Sequence, residues 1–167
     1  MIYWVGLGAN LGDRLATLRR AALALEQLGE PRARSRIFSS APVGGPPQPP
    51  FLNAAVSLDS PLAPTDFLHA LWRIEAEEGR DRAREARWGP RLLDLDLLLA
   101  GEAGERTIVT PELVVPHPRL HERAFALAPL VDLDGELVHP IARRKVAALF
   151  DDAVARGQAV SPTGDAL

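Results

Sequence analysis

A sandwich of helices and strands, of the α/β or α+β class, is the fold this sequence predicts. Three observations carry it. Apolar residues recur at helical spacing in two long segments, strand-like runs are interleaved with them, and one run past the middle of the chain sets leucine at every second position.

Ile2 to Leu7 reads as a short buried strand, closed by Gly6, Gly8 and Gly12. From Asp13 onward, Leu15, Leu18, Ala22, Leu25 and Leu28 share one helical face, and Gly29 to Pro31 stop the helix. Arg34 to Ser40 reads as a second strand. Ala41 to Pro50 then holds five prolines and two glycines in ten residues. Neither a helix nor a central strand tolerates that, because proline lacks the N–H both need. Two strand candidates flank the segment, so it reads as a long flap between neighbouring strands. Phe51 to Leu58 recovers strand character, and Pro64 or Thr65 opens a helix to about Gly79 with Phe67, Leu68, Leu71 and Ile74 on its apolar face. A polar stretch, Arg80 to Arg91, precedes an apolar strand from Leu92 to Ala100. Further helices are expected within Leu120 to Leu130 and near Val146 to Val154. Residues 1–155 should form one domain, with 156–167 a frayed tail.

Composition narrows the function. The 167 residues, 47% hydrophobic and 25% charged, suit one core and exclude collagen, coiled coil and wholesale disorder. No run reaches the ~18 to 20 apolar residues of a bilayer span, and the start lacks an export-signal pattern, so a cytoplasmic protein with no membrane partner is expected. A net charge of −3 disfavours nucleic acid. The absence of cysteine removes thiolate nucleophiles and cysteine-ligated zinc. Lys145 is the sole lysine beside 18 arginines, which excludes a Walker A loop and leaves arginine to grip any phosphate.

The chemistry points to Arg87-Trp88-Gly89-Pro90-Arg91-Leu92-Leu93-Asp94-Leu95-Asp96-Leu97-Leu98-Leu99. On a strand, Leu93, Leu95, Leu97 and Leu99 form one greasy side while Asp94 and Asp96 project together from the other. Their attachment points lie ~6.6 Å apart, where two negative charges repel by about 2.5 kcal/mol at an effective dielectric of ~20. A cation between them is the natural remedy, and hard oxygen ligands suit Mg²⁺ or Mn²⁺. Arg80, Arg82, Arg84, Arg87 and Arg91 fall in the twelve residues before the strand, with only Asp81 and Glu85 as counter-charges. Guanidinium forks beside paired carboxylates are what a metal–polyphosphate site requires.

Two other patterns are weaker. His117 and His121 have zinc-like spacing only if both are helical, which Pro118 opposes, and a phosphate-facing His117 with Arg123 is the better reading. His69 and His139 read as structural. Gly6-Leu7-Gly8-Ala9-Asn10-Leu11-Gly12 misses the dinucleotide fingerprint, because the third glycine comes one place late and no acidic residue ends the next strand.

The run Arg87 to Leu98, with Gly6 to Gly12, Phe51-Leu52-Asn53-Ala54-Ala55-Val56, Arg73-Ile74-Glu75 and Val115-Pro116-His117, resembles the 6-hydroxymethyl-7,8-dihydropterin pyrophosphokinases of folate biosynthesis over roughly residues 1 to 133. The resemblance implies an α+β, ferredoxin-like sandwich, its mostly antiparallel sheet covered by helices. It implies transfer of the β,γ-diphosphate of ATP to the pterin hydroxymethyl group, releasing AMP. Two Mg²⁺ would sit on Asp94 and Asp96, with Arg80, Arg82 and Arg91 completing the catalytic set. Glu75, Arg82, Trp88, Arg91, Leu97, His117 and Arg123 would bind ATP, Glu75 near the ribose. Val43, Gly44, Phe51, Asn53, Asp94 and Phe125 would bind the pterin, Asn53 reading its edge and the two phenylalanines stacking on its faces. The flap and the arginine loop would close over both substrates. A monomer is expected, with ATP and the reduced pterin as its partners. Which of Arg80, Arg82 and Arg84 grips phosphate stays open, because Gly79 to Arg87 is longer than a common family version.

Overall fold

Alternation along β1 (Ile2–Ala9) decides how the chain is layered. Tyr3, Val5, Leu7 and Ala9 enter one hydrophobic core, while Trp4 belongs to a second core on the opposite face. The computed structural model describes residues 1–80 and 89–167. After β1 come α1 (Arg14–Leu25), β2 (Glu30–Arg34), β3 (Arg36–Ser40), β4 (Phe51–Asp59), α2 (Pro64–Glu77) and β5 (Asp94–Ala100). The rest comprises a small hairpin of β6 (Ile108–Val109) and β7 (Val114–Val115), then α3 (Ala124–Asp134), a second hairpin of β8 (Val138–His139) and β9 (Arg144–Lys145), α4 (Val146–Ala155) and β10 (Val160–Ala166).

The main sheet runs β10-β3-β4-β1-β5, with β2 also pairing β4, and its pairings are antiparallel. This is the α+β sandwich with helices packed on a mostly antiparallel sheet. Leu18, Ala21, Ala22 and Leu25 of α1 and Phe67, Leu68, Leu71 and Ile74 of α2 build the first core. Asp13 caps α1 through Oδ1, which accepts the Ala16 N–H at 3.1 Å, and Pro64 starts α2 where its missing N–H costs nothing. Phe67 stacks on Tyr3 at 4.1 Å between ring centroids, and burying such a ring contributes about 1.5 to 3 kcal/mol. The second core joins Leu120, Leu127 and Leu130 to Val146, Leu149 and Ala153.

Three expectations need correction. Leu99 does not share a face with Leu93, Leu95 and Leu97. Trp4 pairs Leu99 but Val5 pairs Leu97, so Leu98 is an extra residue on β5 and the bulge sends both Leu98 and Leu99 into the second core. The strand expected over Arg34 to Ser40 is broken at Ser35, whose Oγ accepts the Ala55 N–H at 2.8 Å in a bond that ordinary pairing would not make. Residues 160–166 do not fray: β10 pairs β3 with Val160 opposite Ser40, Arg19 donates to the Ala166 carbonyl, and Leu167 packs on the first core. The Pro/Gly segment joins the paired strands β3 and β4, as a flap should.

Candidate active site

On the sheet face turned toward α3, β1 presents glycine where its neighbours present function. Gly8 is the register partner of Asn53 on β4 and of Asp94 on β5, and Gly6 is that of Ala55 and Asp96. Two cross-strand rows, Asn53–Gly8–Asp94 and Ala55–Gly6–Asp96, therefore form a floor to which β1 adds no side chain; it is open at Gly8, while Leu98 packs over Gly6, where a Cβ would stand 3.1 Å from its Cδ1. A Cβ on Gly8 would lie 3.6 Å from Asn53 Oδ1 and 3.9 Å from the Asp94 Cβ. The cavity above measures about 130 Å³. Its walls include Val43 and Gly44 of the flap, Phe51, Phe125, Arg91 and Arg123.

The two carboxylates are unlike. Both Asp94 oxygens are occupied: Oδ1 accepts from Arg80 at 2.6 Å and Oδ2 from Arg91 at 2.6 Å. Burial alone would raise the Asp94 pKa, but Arg91 and Arg80 outweigh it and hold it below the usual carboxylate value. Asp96 is pushed up to about 7 by burial and then by the Asp94 charge, against the pull of Arg123. Near neutrality the second carboxylate is thus short of positive charge. Arg80 is itself buried and bridges Asp94 to Glu75, whose Oε1 also accepts the Leu95 N–H at 2.7 Å. Through these bonds α2, on the far side of the sheet, fixes the start of β5.

Asn10 ties the surrounding loops together. Its backbone N–H donates to the Arg91 carbonyl at 3.0 Å and its Oδ1 accepts the Arg91 N–H at 2.7 Å. Its Nδ2 donates to Gln48 Oε1 at 2.8 Å and to the Pro49 carbonyl at 3.1 Å. Arg14 donates to the Pro50 carbonyl at 2.7 Å. The far end of the flap is thereby tethered to the turn that sets Arg91.

The His117 N–H donates to the Leu98 carbonyl at 3.0 Å, and its Nδ1 accepts the Arg119 N–H at 3.2 Å, leaving Nε2 to carry the proton of the neutral ring. Burial, then the Arg123 charge, pushes its pKa down to about 4. The Arg123 guanidinium lies 5.6 Å from the Phe125 ring centroid and is lowered in pKa chiefly by burial.

The sequence-predicted residues divide clearly. Val43, Gly44, Phe51, Asn53, Asp94 and Phe125 all line the cavity, with Asp96, Arg91 and Arg123. Arg80 lies one shell behind Asp94. Glu75 is outside the cavity lining, its side chain 1% exposed beneath β5. Leu97 packs its side chain into the first core at 4% exposure, because strand alternation turns it away from Asp96; only its backbone is left for a ligand. His117 stands beside the lining rather than in it. Arg82, Arg84 and Trp88 lie outside the described residues. His69 pairs with Glu112 at the surface and His139 is buried, both outside the cavity lining. Sequence reasoning missed Gly6 and Gly8 as floor, Asn10 as a tether, and Ser40, whose Oγ accepts from Asn53 Nδ2 at 2.9 Å. The glycine signal was available: two glycines spaced by one on a strand leave one face empty.

Residues 4–135 match the family model described as 7,8-dihydro-6-hydroxymethylpterin-pyrophosphokinase. The chain is 45% identical over 142 residues to the 2-amino-4-hydroxy-6-hydroxymethyldihydropteridine pyrophosphokinase of Pseudomonas aeruginosa, covering 84% of this chain and 85% of that protein. It is 43% identical over 134 residues to the protein of the same name from Bacillus subtilis, covering 79% and 77%. Among solved structures, a Plasmodium falciparum HPPK-DHPS crystal structure superposes with a TM-score of 0.73 at 15% identity, covering 93% of this chain; the chain spans 46% of that one, and the likeness bears on the fold alone. A floor left open at Gly8, between an amide and an acidic pair, is thus joined to a match across most of the sequence, and the chain belongs to the 7,8-dihydro-6-hydroxymethylpterin-pyrophosphokinase family.

Proposed function

We propose that this chain transfers the β,γ-diphosphate of ATP to the hydroxymethyl group of 6-hydroxymethyl-7,8-dihydropterin, releasing AMP. The observation that carries the reading is the row Asn53–Gly8–Asp94 with Asp96 beside it, which sets an amide for a flat heterocycle next to an acidic pair for a polyphosphate. The pterin hydroxyl attacks the β-phosphorus, the α,β-bridging oxygen leaves with AMP, and no protein nucleophile is required.

Asn53 Nδ2 is held by Ser40, which orients the amide so that its Oδ1 lies over Gly8 and accepts from the pterin edge. Phe51 and Phe125, both in the cavity wall, take its two faces. Arg91 and Arg123 supply forked donors for the phosphates, and His117, kept neutral, offers Nε2–H without adding charge. The flap, tethered at Gln48 to Pro50, covers the site and excludes water.

The donor set fits hard divalent cations: two carboxylates share one face, and burial and then the Asp94 charge push Asp96 up to about 7, a penalty that a bound cation would relieve. Asp94 and Asp96 would hold the two Mg²⁺ expected here, which supply Lewis-acid neutralisation of phosphate charge when bound. Among the described residues no helix is long and apolar enough to cross a membrane. A cytoplasmic place fits the reading, since the co-substrate ATP is kept inside cells, and a monomer is the simplest assembly for it.

Incubation with ATP, Mg²⁺ and the reduced pterin should give AMP in step with pterin consumed. ADP as the nucleotide product, or equal turnover without pterin, would refute the assignment and favour a metal-dependent phosphohydrolase.

A further inference from the structure

Arg123 occupies an awkward place in the chain. It is the residue before α3, with φ −112° and ψ 100°, and no side chain of that boundary caps the helix. The first N–H of the helix, on Ala124, needs an acceptor from elsewhere. Gln158 supplies it: its Oε1 accepts the Ala124 N–H at 2.9 Å, and its Nε2 donates to the Glu122 carbonyl at 2.7 Å. One amide thus grips the peptide groups on both sides of Arg123. A planar side-chain amide does this as a β-ladder would, fixing the direction in which the enclosed Cα–Cβ bond points.

Gln158 is itself placed by the end of α4. Gly157, at φ 91°, turns the chain in the left-handed region, its N–H donates to the Val154 carbonyl at 2.8 Å, and the Gln158 N–H returns to Ala153 at 3.3 Å. Two residues later β10 begins to pair with β3, the strand that leads into the flap. Gln158 is therefore held from both sides, by a helix end and by a sheet. It lies beyond the stretch 4–135 that carries the family match.

We infer that Gln158 is a positioning residue for the reaction, acting through Arg123 to hold its guanidinium at the phosphate side of the cavity. The inference rests on the reading of Arg123 given above. With the amide gone, the Arg123 N–H still donates to the Leu120 carbonyl at 3.2 Å and its carbonyl still accepts from Ala126 and Leu127 at 3.1 and 3.0 Å, but the Glu122 carbonyl and the Ala124 N–H on either side of it lose their shared clamp, and the aim of the side chain loosens.

The test is a double-mutant cycle on the full chain. Nucleotide affinity is measured with a non-hydrolysable ATP analogue and Mg²⁺, and steady-state KM for ATP and for the pterin are measured alongside. Q158A should raise the Kd of the analogue roughly threefold to tenfold, the effect of one or two hydrogen bonds, and raise KM for ATP by more than KM for the pterin. In an R123A background the same change should do nothing further to the Kd. Q158E separates aim from capping, because its carboxylate still accepts the Ala124 N–H but repels the Glu122 carbonyl. It should restore thermal stability while leaving nucleotide affinity weakened. An equal loss with and without Arg123, or an unchanged Kd in both Q158A and Q158E, would overturn the inference. Wild-type nucleotide affinity in R123A alone would instead remove Arg123 from the nucleotide site and the inference with it; production of AMP in the transfer assay tests the wider reading independently. If Q158A fails to fold, Q158E and Q158M carry the same cycle.

Discussion

Asn53 and Asp94 face each other across Gly8 on a single cross-strand row, so the space between an amide and a carboxylate is kept open by the lack of one methyl group. That methyl would meet only ordinary contacts, at 3.6 Å and beyond, and a strand accepts alanine more readily than glycine. Gly8→Ala should therefore hold or slightly raise Tm while raising KM for the pterin tenfold or more, by analogy with misplacing a bound reactant. Thermal melts and steady-state kinetics on the same preparation check it; unchanged pterin KM would mean the floor is not where the heterocycle lies.

The two aspartates should separate in stability though not in activity. Either Asp→Asn change should cost on the order of 10² or more in kcat, as does removing one preorganised charge stabiliser. Asp94→Asn also strips the buried Arg80 of one of the two carboxylates it holds among the described residues and should destabilise the fold by about 2 kcal/mol. Asp96→Asn removes no ion pair among the described residues and should not. Denaturant titrations of both variants, free of divalent ions, give the comparison.

A pH signature follows from Asp96. An acid whose folded pKa is raised favours the protonated form on folding, so its contribution is present below the unfolded value near 3.8 and is lost as pH climbs from there through about 7. Without divalent ions, Asp96→Asn should abolish that loss and be more stable than the parent at pH 8. Asp94, with its lowered pKa, acts below pH 3.8 and leaves this window untouched. Tm curves of parent and variant running parallel from pH 4 to 8 would contradict the assignment.

His117 runs the other way. Its neutral form is favoured by folding, so full stability is present above pH 6.5 and is lost as pH falls from 6.5 toward about 4. The imidazole resonances should titrate with a midpoint near 4, and His117→Asn should flatten the acid side of the stability profile. A midpoint at the ordinary 6.5 would show a solvated ring and remove it from the phosphate wall.

Much of this is legible in the sequence. Leu15 to Leu28 and Phe67 to Ile74 carry a helical period, and the Pro/Gly flap forbids regular structure; both are local constraints that tertiary contacts did not override. The acidic pair was readable for the same reason, since strand alternation fixes Asp94 and Asp96 on one face. The bulge at Leu98 was not, because a register shift is a property of two strands and neither sequence announces it. β10 escaped notice because Val160 to Ala166 contains Pro162, Gly164 and Asp165; it persists as a partner to β3 at the sheet edge, where such residues are tolerated. Asn10 reads as a turn residue, and its role needs Gln48, Pro49 and Arg91 brought to it from distant parts of the chain.

β5 ends the main sheet, with β1 on one side and, on the other, no strand of that sheet among the described residues but single backbone bonds from His117 to the Leu98 carbonyl and from Arg106 to the Ala100 carbonyl. At the rim, a long hydrated ligand can lay its reacting end against the carboxylates and leave its adenosine end half in water. A ligand that reaches those carboxylates from the rim need not part α1 and α2 from the sheet.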